Sequence, residues 1–200
     1  MINFNLRFSL IILVIMAEMS CVSAKIVNVS PEATIPTVQD FRTIDASIKV
    51  TCSDPLSSAH EDVAAALNEE RVFQSVIVTT SEALLPDAEL MVYPKIIADS
   101  HFRAETGKAV FRGLLLGLAD GAFADRYDYT VILWVSLEKG PRIIGEYEAV
   151  SKYYAQQPEN RNAPQASETR RLAWEHALKL LVSKIKADRA NIIAGLELNN

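Results

Sequence analysis

The three histidines are the side chains best suited to metal or acid–base chemistry, and their spacing does not form a metal site. His60 and Glu61 begin like the zinc-protease motif His-Glu-x-x-His, but Ala64 occupies the position of the second histidine. His101 and His176 have no second ligand at a metal spacing. The pattern predicts no metal and no cofactor, with His60 exposed at a helix start and His176 at the boundary of a helix face.

Nucleophile and base types also occur, but without a geometry that favours cooperation. Ser81–Glu82 and Asp99–His101 place such residues next to one another, and adjacent residues in a strand point to opposite faces. Glu146 and Glu148 would share one strand face, which fits either paired carboxylates or a solvated surface. The sequence has neither a nucleophile elbow nor a phosphate-binding glycine loop. It therefore predicts a protein that is not an enzyme, with a hydrolase of unfamiliar design as the remaining alternative.

Aromatic residues concentrate in two neighbouring segments that form a predicted hairpin. Tyr127, Tyr129 and Trp134 lie in the first segment, and further tyrosines lie in the second. Such residues stabilise a sheet through cross-strand pairs, and amphipathic aromatic residues are also common at binding surfaces. Tyr127, Tyr129 and Trp134 are therefore candidate interaction residues.

The elements that must position these residues follow the order strand, helix, strands, hairpin, helix. The clearest strand runs from Tyr127 to Leu137, and its odd-numbered positions are almost all apolar. The last helix carries an apolar stripe at offsets of three and four residues, composed of Trp174, Ala177, Leu178, Leu181, Val182 and Ile185. This order predicts an α+β fold in which a small, largely antiparallel sheet carries two main helices on one face.

The predicted organisation is a single α+β domain over residues 46–187. A signal peptide over residues 1–24 and an extended lead-in over 25–45 precede it, and a C-terminal tail over 188–200 follows. The chain has 200 residues, a formal net charge of −5 and a pI near 5.3. An acidic chain lacks the concentrated basic surface that neutralises phosphates, so nucleic acid is not an expected partner.

The N-terminus has the pattern of an export signal. Arg7 precedes the apolar run Phe8–Met16, which is too short to span a bilayer. Small residues at Val22–Ala24 predict cleavage before Lys25. The alternative is lipidation of Cys21, although Glu18 stands where a lipoprotein signal has leucine. Either route leaves Cys52 without an intramolecular disulfide partner, and strand alternation predicts a buried thiol there.

Three glycines at a spacing of four residues mark the apolar segment 107–124. Gly113, Gly117 and Gly121 would share one helix face and permit close approach of another backbone. The segment is too short for a conventional transmembrane helix. Two interpretations stay open. The glycines pack inside their own domain, or they mediate self-association or membrane contact.

The run Gly113–Leu118 is followed by Asp125–Thr130 and then by a strand, a turn and a second strand rich in tyrosine. This arrangement, over about Leu90 to Tyr154, resembles a group of small exported lipoproteins of Gram-negative bacteria. The resemblance implies a location in the periplasm or at the outer membrane and no catalytic residues. It favours a structural, assembly or interaction role in the cell envelope, through self-association or an envelope protein partner. The alternative is a soluble periplasmic binding module that uses the aromatic hairpin.

Overall fold

The computed structural model describes residues 25–39, 41–52, 57–79, 88–99, 124–158 and 164–198. Within these ranges the chain forms one sheet of six strands and three helices. The strands are β1 (Lys25–Asn28), β2 (Ile44–Cys52), β3 (Phe73–Val78), β4 (Ala88–Asp99), β5 (Ala124–Lys139) and β6 (Arg142–Pro158). The helices are α1 (Ala59–Glu69), α2 (Pro164–Ala187) and α3 (Arg189–Glu197).

The sheet is mixed, so the prediction of a largely antiparallel sheet was wrong. Its strand order is β1-β6-β5-β4-β2-β3, and β2 pairs in parallel with both β3 and β4. The pairs β4–β5, β5–β6 and β6–β1 are antiparallel. For β2 and β3 the physical reason is the connection through α1, because a crossover helix returns the chain to the same end of the sheet and the next strand then runs in the same direction.

One hydrophobic core lies between the sheet and the helices. Strand β5 contributes its odd-numbered residues Val131, Leu133, Val135 and Leu137, all essentially inaccessible to solvent. Helices α1, α2 and α3 contribute residues to the same cluster, among them Val63, Leu67, Ala177, Leu181, Ile185 and Ile192. The core thus combines a period of two in the strands with a period near 3.6 in the helices.

Helix α3 packs against the tip of the β5–β6 hairpin. It lies in the segment that the sequence predicts as a C-terminal tail. Gly140 forms the turn with a φ of +59°. The backbone of Gly195 in α3 comes so close to Ile144 that a Cβ there would lie 2.5 Å from Ile144 Cγ2. The Lys139 ammonium donates a hydrogen bond to the carbonyl of Leu196, at the C-terminal end of α3.

The N-terminal segment, residues 25–39, crosses from the sheet to α2, and we call it the N-terminal strap. It begins as β1 beside β6, and its Ser30 hydroxyl accepts a hydrogen bond of 2.8 Å from the Lys152 amide. Farther along, the Ser183 hydroxyl of α2 donates to the Pro36 carbonyl over 2.5 Å. Strand β1 therefore lies inside the segment 25–45 that the sequence predicts as an extended lead-in.

Candidate interaction site

Among the described residues, the helices pack on one face of the sheet, and we call the β5 and β6 part of the opposite face the helix-free face. Because side chains alternate along a strand, the even-numbered residues of β5 and β6 point away from the core that their odd-numbered neighbours form. This face comprises Asp128, Thr130, Ile132, Trp134, Glu146, Glu148, Val150, Lys152 and Tyr154. The alternation along β5 predicted its odd-numbered residues on one face, which leaves Ile132 and Trp134 for the other, and the structure agrees.

The centre of the helix-free face is apolar and aromatic, and its surroundings are charged. Ile132 lies opposite Val150 in the β5–β6 register, and Trp134 lies opposite Glu148. The side chains of Ile132, Trp134 and Val150 are half-buried, whereas Glu148 is exposed. An apolar centre with a charged rim is the arrangement found at protein–protein contacts.

The predicted aromatic cluster divides between the two faces of the sheet. Tyr129 and Tyr153 pack against the core on the helix side, while Trp134 and Tyr154 lie on the helix-free face. The structure therefore does not bring Tyr129 and Trp134 together, because odd and even positions of β5 face opposite ways. Tyr127 lies within β5.

Tyr147 is a buried structural tyrosine. Its hydroxyl donates a hydrogen bond of 2.8 Å to Asp188 Oδ2, between α2 and α3. Burial, followed by the hydrogen bond to Asp188, raises the pKa of Tyr147 well above its usual range, so the phenol stays neutral. The ring lies over Gly145, where a Cβ would come within 2.4 Å of the hydroxyl oxygen. This tyrosine joins β6 to the helix layer and is not available to a ligand.

His176 is buried in the interior, whereas the sequence predicted it at the boundary of a helix face. Its Nδ1 lies 3.2 Å from the Ser151 hydroxyl, and its ring meets Tyr153 edge to face at 5.9 Å between centroids. Nε2 is buried and has no hydrogen-bond partner in the described structure. Burial lowers the pKa of His176 below its usual value, although the Ala33 carbonyl and the Glu32 charge oppose that shift.

His60 is also buried, so its predicted exposure was wrong. Its Nδ1 lies 3.0 Å from the Ser57 carbonyl, and this contact occupies the ring at the start of α1. Cys52 is a free, half-buried thiol at the end of β2. Glu146 and Glu148 are exposed on the helix-free face. Within the residues that the structure describes, neither His60 nor Cys52 forms a nucleophile–base pair with another side chain, and the same holds for the two glutamates.

A groove of about 600 Å³ lies between the N-terminal strap, α1 and α2. Its apolar lining comes from three separate segments of the chain, through Ile35, Pro36, Val38, Ala66, Leu178 and Val182. Charged residues of both signs surround this lining. The Lys186 ammonium is bound to Glu70 Oε2 at 2.6 Å and lies 5.2 Å from the Phe41 ring centroid.

Sequence analysis missed this groove, and no local pattern could have found it. Its walls come together only because the strap crosses α2 at Ser183. Volume and lining suit a small amphiphilic ligand, since such sites combine an apolar wall with a few polar groups.

Some predicted residues lie outside the described ranges. These are the glycines Gly113, Gly117 and Gly121, the segment 107–124 and the lipidation candidate Cys21. Among the described residues, no group of three or more histidines, cysteines or carboxylates could hold a metal ion. None of the described helices is long and apolar enough to cross a membrane.

The chain matches no protein-family model and no curated protein. Among solved structures, a candidate lipoprotein of Caulobacter crescentus CB15 is similar at 10% identity and a TM-score of 0.43, over 74% of this chain and 90% of that one. A DUF330 protein of Xanthomonas campestris is similar at 8% identity and a TM-score of 0.42, over 79% and 91%. The PelC dodecamer of Paraburkholderia phytofirmans has 10% identity and a TM-score of 0.32, over 80% and 96%. Likenesses at this level establish neither a family nor a function.

Proposed function

We propose that the protein is an exported component of the Gram-negative cell envelope, with a structural, assembly or interaction role and no catalysis. The export signal at the N-terminus supports the location. The helix-free face supports the role, because its apolar centre and charged rim are suited to a partner surface. This face is the single observation on which the interaction role rests.

Site-specific photo-crosslinking in intact cells tests the proposal. A photoreactive residue at the exposed position Glu148 lies directly opposite Trp134 and does not disturb the core. The matched control position is Asn191, which is exposed on α3. We expect light-dependent adducts to an envelope protein or to a second copy from position 148 but not from position 191. Equal crosslinking from both positions, or none from position 148, would contradict the interaction role of this face.

The start of β1 at Lys25 sets a limit on how the protein would be held at a membrane. If Cys21 is lipidated, only three residues lie between it and Lys25, which pairs with Gln156 in the sheet. Four steps along an extended chain reach at most about 14 Å. The edge formed by β1 would then lie close to the lipid surface. If cleavage occurs before Lys25, as we expect, the protein is released into the periplasm. Intact mass decides, since an acyl mass on Cys21 identifies the anchored form.

The glycine-spaced segment 107–124 is a further contact region in this proposal. Replacement of Gly117 by leucine should abolish self-association or membrane contact and leave the domain folded, because the added side chain holds backbones apart. If the glycines pack within their own domain, the same change lowers stability by about 1–3 kcal/mol through overpacking. Size-exclusion chromatography and membrane flotation, together with thermal melts, separate the two results.

A soluble periplasmic binding module is the second candidate function, and the groove between the strap, α1 and α2 favours it. Replacing the partly buried Ala66 by a larger apolar residue would fill the groove without adding charge. Binding of a hydrophobic fluorescent probe should then fall, whereas an equivalent change at the exposed Ile143 should leave binding unaltered. Equal binding to both variants would exclude the groove as the site.

A further inference from the structure

The two edges of the sheet differ in how well they are protected against pairing with another strand. Edge strands present backbone N–H and C=O groups to solvent, and proteins protect them with charges, prolines, bulges or short length. Strand β1, at one edge, has only four residues, and Pro31 follows it three residues later. Outside Tyr153–Gln156, where β1 pairs, this edge is formed by β6, which carries Arg142, Glu146, Glu148 and Lys152. The edge is therefore protected by the short length of β1 and by the charges of β6.

Strand β3, at the other edge, has only one such irregularity beside it, a register shift between Ile44 and Ser47 in which the extra residue belongs to β2. Its six residues, Phe-Gln-Ser-Val-Ile-Val, include no charge and no proline. In the described part of the chain it pairs with β2 and with no other strand. Val78 keeps 41% of its surface exposed, and Gln74 is exposed as well. A neutral segment rich in β-branched residues at a sheet edge has the composition of a strand that pairs with another strand.

We propose that β3 pairs in an antiparallel manner with the β3 of a second copy of this chain. A twofold axis perpendicular to the sheet produces that pairing and keeps the side chains of both strands on matching faces. The segment is neutral, so no register places like charges opposite each other. Six residues of paired strand extend over about 20 Å, which is long enough for a regular ladder.

The most favourable register has Val76 opposite its own copy. Positions equally distant from the axis then face each other, so Gln74 of one chain meets Val78 of the other on the same face. This register covers the two exposed side chains of β3 at once. Two six-stranded sheets thereby join into one continuous sheet, with both helix layers on one side and both helix-free faces on the other. The pairing uses an edge of the sheet and not the helix-free face. Its test can therefore fail independently of the test of the interaction role proposed above.

A charge-swap experiment tests this arrangement. One variant carries Gln74→Lys with Val78→Lys, and a second carries Gln74→Glu with Val78→Glu. In the proposed register each variant places like charges opposite each other twice, which should weaken self-association about tenfold or more. A mixture of the two places opposite charges together and should restore a dimer that contains one copy of each. Ile143→Lys is the matched control, since Ile143 is 55% exposed and lies on β6 away from this edge.

Sedimentation velocity measures the assembly, and circular dichroism melts verify that each variant is folded. We expect the wild type and Ile143→Lys to form dimers, the two charged variants to be monomers, and their mixture to form a heterodimer. A monomeric wild type, a charged variant that dimerises as the wild type does, or a mixture of folded variants that stays monomeric would each overturn the proposal.

Hydrogen exchange on the wild-type protein tests the β3 pairing without the use of any variant. The amides of β3 should exchange more slowly as protein concentration rises, while those of β1 should not change. Exchange in β3 that is independent of concentration would overturn the proposal even if the charged variants failed to fold.

Discussion

The contact between α3 and the hairpin makes a quantitative prediction for Gly195→Ala. An added Cβ would lie 2.5 Å from Ile144 Cγ2 and 3.3 Å from Ile144 Cβ. Carbon atoms normally meet at about 3.5–4.0 Å, so α3 or the Ile144 side chain must move. Rotation of the isoleucine relieves the first contact but not the second, since Ile144 Cβ does not move with χ1.

The expected effect is the balance of two contributions. Overpacking costs about 1–3 kcal/mol. Replacing glycine by alanine inside a helix contributes about 1 kcal/mol in the opposite direction. We therefore expect Gly195→Ala to lower the free energy of unfolding by up to about 2 kcal/mol, since the first term exceeds the second. For a chain of this length the melting temperature should fall by up to about 8 °C.

The same substitution should change sign when Ile144 is already alanine. The Cγ atoms are then absent, and the remaining 3.3 Å contact with the alanine Cβ needs a shift of only a few tenths of an ångström. The gain in helix propensity should then dominate, so that Gly195→Ala raises stability by up to about 1 kcal/mol. Urea denaturation of both single variants and the double variant measures the coupling. Ala190→Gly, at an exposed position of the same helix, is the control for the helix-propensity contribution alone. A coupling below about 0.5 kcal/mol between positions 144 and 195 would refute close packing as the reason for glycine.

Two further predictions concern buried titratable groups. Tyr147→Phe removes the hydroxyl that donates to Asp188 and should cost about 1 kcal/mol at neutral pH. Because the folded state raises the pKa of Tyr147, its stabilising contribution is present below the tyrosine's ordinary pKa of about 10 and is lost as pH rises above it. Urea denaturation between neutral pH and about pH 11 should show a smaller alkaline loss for the variant, and parallel curves would contradict the assignment. Burial lowers the pKa of His176, so the unfolded chain binds the proton more readily and stability should fall as pH drops below about 6.5. His176→Gln should flatten the acid side of the stability profile, and an unchanged acid slope would show that other groups cause it.

Elements with strong periodicity were well predicted from the sequence. The alternation along β5 identified Val131, Leu133, Val135 and Leu137 as one face, and all four are in the core. The stripe on α2 was predicted with similar success, since Ala177, Leu181, Val182 and Ile185 are buried. Both results rest on periods of two and 3.6 residues, which depend only on local backbone geometry.

Local periodicity could not predict the close contacts between segments that are distant in the chain. Sequence analysis drew attention to Gly113, Gly117 and Gly121, whereas the close approaches that the structure describes occur at Gly145 and Gly195. The environment of Gly195 depends on Ile144, about fifty residues earlier in the chain. The groove and the burial of His176 likewise depend on the strap crossing α2.

The sequence by itself determined which residues of each strand and helix face the same way, and it predicts an export signal before the domain. Apart from the β5–β6 hairpin, which the sequence predicted, tertiary structure alone decided which strands are neighbours. The order β1-β6-β5-β4-β2-β3 leaves the neutral strand β3 at one edge and the short strand β1 at the other. That order follows from the crossover through α1 and from β4 joining β2 on its far side. These pairings join segments that are far apart in the chain. Their stability depends on loop-closure entropy and on the shared core, and a local period of two or 3.6 residues contains no information about either.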